Sequence, residues 1–263
     1  MRFYLRILIG LAALSISAHS LNAQGVVMNW TVDGVKREAL VFVPEGAKQK
    51  EAPLVFGWHG HGGDMHGMPN LMKIQTLWKE AIVVYPQGIT GARGANDPQG
   101  LKRGWQRAVG ELGDRDLKFF DAMWKTLHQE YKVDDKRVYS LGFSNGSRFN
   151  YLLWGERGKL IAAFGIVAGA IDPTVHLGPA RSVIVIAGSA DNTVPFADQL
   201  QAIATDRQVD SANGQDQPCG PICKLYSSTT HTPVMTAIHS GGHVFPSFAP
   251  EKVTDFFKAH EMP

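Results

Sequence analysis

The chain has 263 residues, 44% of them hydrophobic and 19% charged, which is enough for one well-buried domain and short for two. Its 26 Lys and Arg against 24 Asp and Glu give a formal charge of +2 without any Lys/Arg-rich block, so the footprint of a nucleic-acid binder is missing. After residue 23 no apolar run approaches the ~20 residues a bilayer span needs, which argues against a membrane partner for the processed chain.

The first residues have the layout of an export signal. Arg2 and Arg6 form a positive n-region, residues 7–18 a short apolar run, and Leu21-Asn22-Ala23 a small-residue cleavage site before Gln24. A retained anchor is the alternative, but the run is too short to cross a bilayer. The expected division is therefore a signal peptide at 1–23 and a single domain at 24–263. Cleavage removes two Arg and no acid, leaving the processed chain formally neutral.

In chain order, apolar β-branched runs at 39–43 and 54–58 read as strands. The second runs into His59-Gly60-His61-Gly62-Gly63-Asp64, a glycine-rich loop. A helix is expected over 68–80, a strand over 81–85 and a helix over 114–131. In the last, Leu117, Phe120, Met123, Trp124 and Leu127 recur at three- and four-residue steps and form an apolar face for core packing. A strand at 137–141 and a helix at 145–156 flank Gly142-Phe143-Ser144-Asn145-Gly146. Strands at 162–167 and 182–187, a helix at 195–206, a strand at 233–238 and a helix at 250–260 complete the pattern. Strands alternating with helices imply an α/β fold with a mostly parallel sheet and helices on both faces. Chemistry in such a sheet belongs in the loops beyond the carboxyl ends of the strands.

G-x-S-x-G between a strand and a helix is the nucleophile-elbow pattern, with Ser144 at a strained turn that only small flanking residues tolerate. A serine hydroxyl needs a histidine to take its proton and an acid to hold that histidine's tautomer. In this arrangement the acid follows the serine and the histidine comes last. Among the later aspartates only Asp191 sits in a short loop directly after a strongly apolar strand; Asp198 reads as helix surface and Asp172 as a turn before Pro173. His243 lies in the loop Ser240-Gly-Gly-His-Val-Phe-Pro246 past the last strand, and His239 is its competitor. The backbone N–H groups of His61 and Asn145 are the candidate oxyanion donors. His59, His61, Asp64 and His66 could instead hold a metal, although no partner ligand completes a set. No metal is expected there.

Cys219 and Cys223 are four residues apart. In an exported chain that spacing fits a disulfide pinning a surface loop, and it is not the C-x2-C of a thioredoxin-type motif.

The chain resembles a secreted esterase family that groups feruloyl esterases with polyhydroxybutyrate depolymerase-like enzymes. The matching pieces are Leu54-Val-Phe-Gly-Trp-His-Gly-His-Gly-Gly63, Tyr85-Pro-Gln-Gly88, Gly104-Trp105, Asp134-Asp-Lys-Arg-Val-Tyr139, Gly142-Phe-Ser-Asn-Gly146, Gly188-Ser-Ala-Asp191 and Gly241-Gly-His243. The resemblance implies the α/β-hydrolase fold, a cofactor-free serine carboxylic-ester hydrolase, and the triad Ser144, Asp191 and His243. It also implies that Trp105 lines the acyl pocket, against which stands plain packing beside the sheet. The family often has Cys where this chain has His61, and GMSNGG where it has Gly142-Phe-Ser-Asn-Gly-Ser147. Phe143, with Phe245 nearby, offers an aromatic surface for a phenolic acyl group. The expected partner is a small-molecule or polymer-linked ester, cleaved through an acyl-enzyme. Alternatives are a polyhydroxybutyrate depolymerase, a serine peptidase on the same fold, and a binding protein on the hydrolase scaffold.

Overall fold

The computed structural model describes residues 25–262; the export signal expected at 1–23 lies outside them. Strands β3 (Ala52–Trp58), β4 (Ile82–Pro86), β6 (Ala163–Val167) and β7 (Ser182–Gly188) are buried at every position, as strands covered on both faces must be. With β5 (Val133–Phe143) and β10 (Val234–His239) they form a parallel set in the order β4-β3-β5-β6-β7-β10. Antiparallel strands extend both sides. β2 (Val35–Phe42) and β1 (Val26–Val32) flank β4, while β9 (Cys223–Tyr226) and β8 (Asp216–Gly220) flank β10.

Two cores, one on each face, hold the helices. Leu117 and Phe120 of α3 (Arg115–Glu130), Phe149 and Leu153 of α4 (Asn145–Arg157) and Ile203 of α5 (Phe196–Val209) pack into one. Met68 and Met72 of α1 (Met68–Met72), Ile74 of α2 (Ile74–Leu77) and Val253 and Phe257 of α6 (Ala249–Lys258) pack into the other.

The helix expected over 68–80 is two short helices broken at Lys73, which sits in the left-handed region at φ 54°. The sequence contains the reason. Met68 and Met72 are one i,i+4 pair and Ile74 and Trp78 another six residues on, so a straight helix would turn the second pair about 120° away from the first. All four are buried, and the bend is what lets both pairs reach the core.

Candidate active site

At the end of β5 the chain makes a turn that only its two glycines permit. Ser144 has φ 54° and ψ −117°, a conformation an L-residue holds only when its surroundings impose it. A Cβ on Gly142 would stand 2.4 Å from the Gly146 carbonyl oxygen, and one on Gly146 would stand 2.3 Å from that of Trp58. The Ser144 N–H donates to the Val167 carbonyl at 2.9 Å. Ser147, where a glycine is common in the resembling family, is buried and bonds both backbone groups of Val167 through its hydroxyl. Asn150 donates to the carbonyls of Ser140 and Gly165, each at 2.9 Å, which ties α4 to β5 and β6. These bonds fix the start of the helix from which the site is built.

The loops after β7 and β10 are locked to each other. The Ser189 N–H donates to the His239 carbonyl at 2.8 Å, and the Ala190 N–H to that of Gly241 at 3.1 Å. A side chain on Gly188 would collide with the Gly241 and Gly242 carbonyls. This contact brings Asp191 to His243, whose Nδ1–H donates to Asp191 Oδ2 at 2.8 Å. On the other side of the ring, the Ser144 hydroxyl donates to His243 Nε2, also at 2.8 Å.

Asp191 is almost wholly buried. Burial pushes its pKa up, but the bond from His243 and those from the N–H groups of Val194 and Thr193 outweigh this and bring it below the usual value. A fourth donor, Gln199 Nε2, reaches Asp191 Oδ2 at 3.0 Å and the Val194 carbonyl at 2.8 Å. An ionised Asp191 requires the His243 proton on Nδ1, which leaves Nε2 free to accept from Ser144. The arrangement can therefore draw a proton off the serine hydroxyl. His239 has a different place. Its Nδ1 accepts the Gly241 N–H at 3.0 Å, so the ring braces the loop that carries His243.

The glycine-rich loop after β3 lies against the elbow, with the Gly60 Cβ position 3.4 Å from Ser144 Cβ. Its shape depends on His59, fully buried, whose Nδ1–H donates to the Gly60 carbonyl at 2.7 Å while Nε2 accepts the Gly88 N–H at 2.9 Å. Burial drives the His59 pKa down to about 4, so the ring stays neutral as those roles require. Among the described residues neither the His61 nor the Asn145 N–H has a hydrogen-bond acceptor. Beside this loop opens a cavity of about 550 Å³ lined by His61, Gly62, Thr90, Leu101, Lys102 and Arg103.

The four residues considered as metal ligands do not converge. His59 has both ring nitrogens engaged in the core, His61 pairs with Asp97 at 2.9 Å, and Asp64 accepts the N–H groups of His66 and Gly67. Among the described residues no three His, Cys, Asp or Glu side chains assemble as a metal-binding set.

Trp105 corrects the sequence expectation. Its side chain is fully buried between Trp58, His59 and Phe149, with the indole N–H donating to the His59 carbonyl at 2.8 Å. These three rings enclose the indole, so it packs the loop and cannot wall an acyl pocket. Phe143 is half-buried, stacked on the His243 ring at 5.3 Å and edge-on to Phe245 at 5.8 Å. The structure joins Cys219 to Cys223 by a disulfide at the turn between β8 and β9, the hairpin that flanks β10.

No family model matches the chain. Feruloyl esterase C of Emericella nidulans is 27% identical, over 85% of this chain and 84% of that protein. A probable feruloyl esterase C of Aspergillus niger is 27% identical, over 97% of this chain and 98% of its own. Among solved structures, an acetyl xylan esterase from Aspergillus awamori superposes with a TM-score of 0.68 at 15% identity, covering 89% of this chain and 99% of that one. The chain has the α/β-hydrolase fold. The resemblance to feruloyl esterases drawn from its motifs extends over most of the chain, and the α/β-hydrolase sheet carries Ser144, Asp191 and His243 on loops after three different strands.

Proposed function

We propose that this α/β-hydrolase is a feruloyl-esterase-like serine carboxylic-ester hydrolase. Ser144 is the nucleophile, His243 the base and then the acid, and Asp191 the group that holds the imidazole. The single observation that carries the reading is the continuous relay from Ser144 Oγ through His243 to Asp191, with both links at 2.8 Å. Ser144 attacks the ester carbonyl while His243 Nε2 takes its proton. The developing oxyanion is met by the N–H groups of His61 and Asn145. Collapse expels the alcohol with the proton from His243, and water repeats the sequence on the acyl-enzyme.

Phe143 and Phe245 give the acyl group an aromatic neighbour, and stacking on a phenolic ring contributes roughly 0.5–1.5 kcal/mol per contact beyond burial. The names of the relatives support an aromatic or short acyl group. The apolar run and cleavage site at 1–23 support export, as does the disulfide; among the described residues no helix is long and apolar enough to cross a membrane. A single catalytic domain at 24–263 remains part of this proposal, with a small or polymer-linked ester as its partner.

The test is a panel of methyl ferulate, p-nitrophenyl acetate, hydroxybutyrate oligomers and peptide anilides with the processed protein. Methyl ferulate should be cleaved with clearly higher kcat/KM than the hydroxybutyrate oligomers. Ser144→Ala should lower ester hydrolysis by a factor on the order of 10⁴ with the fold intact. A folded variant that keeps near-wild-type turnover would exclude the serine mechanism.

A further inference from the structure

The two residues that supply the oxyanion N–H groups have their side chains held by one and the same loop. His61 Nε2–H donates to Asp97 Oδ2 at 2.9 Å. Asn145 Oδ1 accepts the Trp105 N–H at 2.7 Å, and its Nδ2 donates back to the Trp105 carbonyl at 3.1 Å. Asp97 is nearly buried and organises the segment between them: Oδ2 accepts the Lys102 N–H at 2.9 Å and Oδ1 the Leu101 N–H at 3.0 Å. The bond from Lys102 is the largest influence that holds this carboxyl below its ordinary pKa, so it is ionised in the neutral range. The Gly62 N–H donates to the Arg103 carbonyl at 2.7 Å, which couples the loop to the oxyanion segment a second time.

Gly104 is the wedge. A Cβ there would stand 2.8 Å from His61 Nδ1 and 3.0 Å from Asn145 Oδ1, so the bare backbone sits between the two side chains. The far end of the loop is anchored in the core, where Gln106 and Asp116 exchange bonds: Asp116 Oδ2 accepts the Gln106 N–H at 2.8 Å, and Gln106 Oε1 accepts that of Asp116 at 2.9 Å. The proton relay uses none of this. A carboxylate that is nearly buried, bonded to His61 and to two backbone N–H groups of one loop, has no part in the triad.

We propose that Asp97 is a positioning residue for the oxyanion hole, acting through His61 and residues 97–105 to keep the His61 and Asn145 N–H groups converged beside Ser144. The inference rests on the esterase reading above. An oxyanion donor acts through its distance and aim at the transition-state oxygen, and loss of one donor costs about 10²–10³ in kcat. A donor displaced by a loosened loop forfeits part of that, while ground-state binding changes little.

The experiment uses the processed protein, with p-nitrophenyl acetate as substrate and a p-nitrophenyl phosphonate to titrate reactive serines, so that unfolded protein is not counted. In Asp97→Ala, kcat per titrated site should fall about 10- to 100-fold, with KM within about twofold. Phosphonylation should slow by a similar factor, because the tetrahedral adduct places an oxygen in the same hole. Asp97→Asn, which keeps an acceptor for His61, should recover most of the loss. His61→Ala cuts the same link from the other end and should show the same split if Asp97→Ala folds poorly. In the double variant the loss should match the worse single one, since coupled groups are not additive. Additive losses, or kcat per site and phosphonylation within twofold of wild type in both single variants, would overturn the positioning role and leave the esterase reading standing. Wild-type protein that neither cleaves esters nor reacts with the phosphonate would overturn both.

Discussion

At Asp191 four donors converge on one buried carboxylate: the His243 ring, two backbone N–H groups and Gln199. This environment decides between the two histidines that the sequence left open. His239 and His243 are four residues apart on either side of a glycine pair, and spacing cannot say which one faces the serine. His239 ends β10 and turns its Nδ1 to the Gly241 N–H, so its removal costs a brace. His243→Ala should therefore lower kcat by about 10⁴, whereas His239→Ala should lose about tenfold or less, the scale of one neutral hydrogen bond. Parallel kinetics on the two variants check this; a larger loss at 239 would reassign the base. Ser144 was legible because its turn demands glycine on both sides, and Asp191 because it follows an apolar strand. Gln199 and Asp97 were not legible. Gln199 lies in a helix and Asp97 in a polar loop, and both reach the site only through folding that joins distant segments. Trp105 was legible as a position but not as a role, since burial of a ring depends on what encloses it.

Elements with strong periodicity were readable, and those defined by partners were not. The buried parallel strands announce themselves as apolar runs, and the helix at 115–130 by its apolar stripe. β8 and β9 give no such signal, because Asp216–Gly220 is mostly exposed and contains a proline. They pair because β10 offers an edge to β9 and because the turn is closed by Cys219–Cys223. The Ile222 carbonyl also accepts the Ile238 N–H at 2.9 Å, so the hairpin covers the outer side of the strand that leads to His243. The loop closed by the disulfide is short, and its entropic effect on the unfolded chain is correspondingly small, about 2 kcal/mol at most. Replacing both cysteines by serine should lower Tm by several degrees and leave ester hydrolysis at 25 °C within about threefold of wild type. Thermal melts and initial rates on the double variant check both halves. A tenfold loss of activity at low temperature would mean that the hairpin positions His243 rather than protects its strand.

A buried acid pair outside the catalytic triad contributes to the pH dependence of the whole molecule. Asp206 and Asp210, at the end of α5, are both fully buried. Asp206 accepts the Tyr151 hydroxyl at 3.0 Å on one oxygen, Asp210 accepts the Arg181 N–H at 2.8 Å on one of its own, and the second oxygen of each is unpartnered among the described residues. Burial raises both pKa values, that of Asp210 to about 8. The folded state therefore keeps the Asp210 proton up to about pH 8, while the unfolded chain releases it near 4. Between those limits the folded protein binds more protons than the unfolded one, so stability falls as pH rises, by up to about 1.4 kcal/mol per pH unit for one group. Asp191 acts in the opposite sense. Its lowered pKa gives stability that is present above the unfolded value and lost as pH falls through the folded one. For these two groups together, stability is greatest near the unfolded carboxylate pKa of about 4. Asp210→Asn removes the titration while keeping an acceptor for the Arg181 N–H. Its Tm should exceed that of the wild type at pH 8, match it more closely at pH 5, and decline less between the two. Melts at the two pH values decide the matter: equal slopes in both proteins would show that Asp210 is ionised in the folded state and already compensated there.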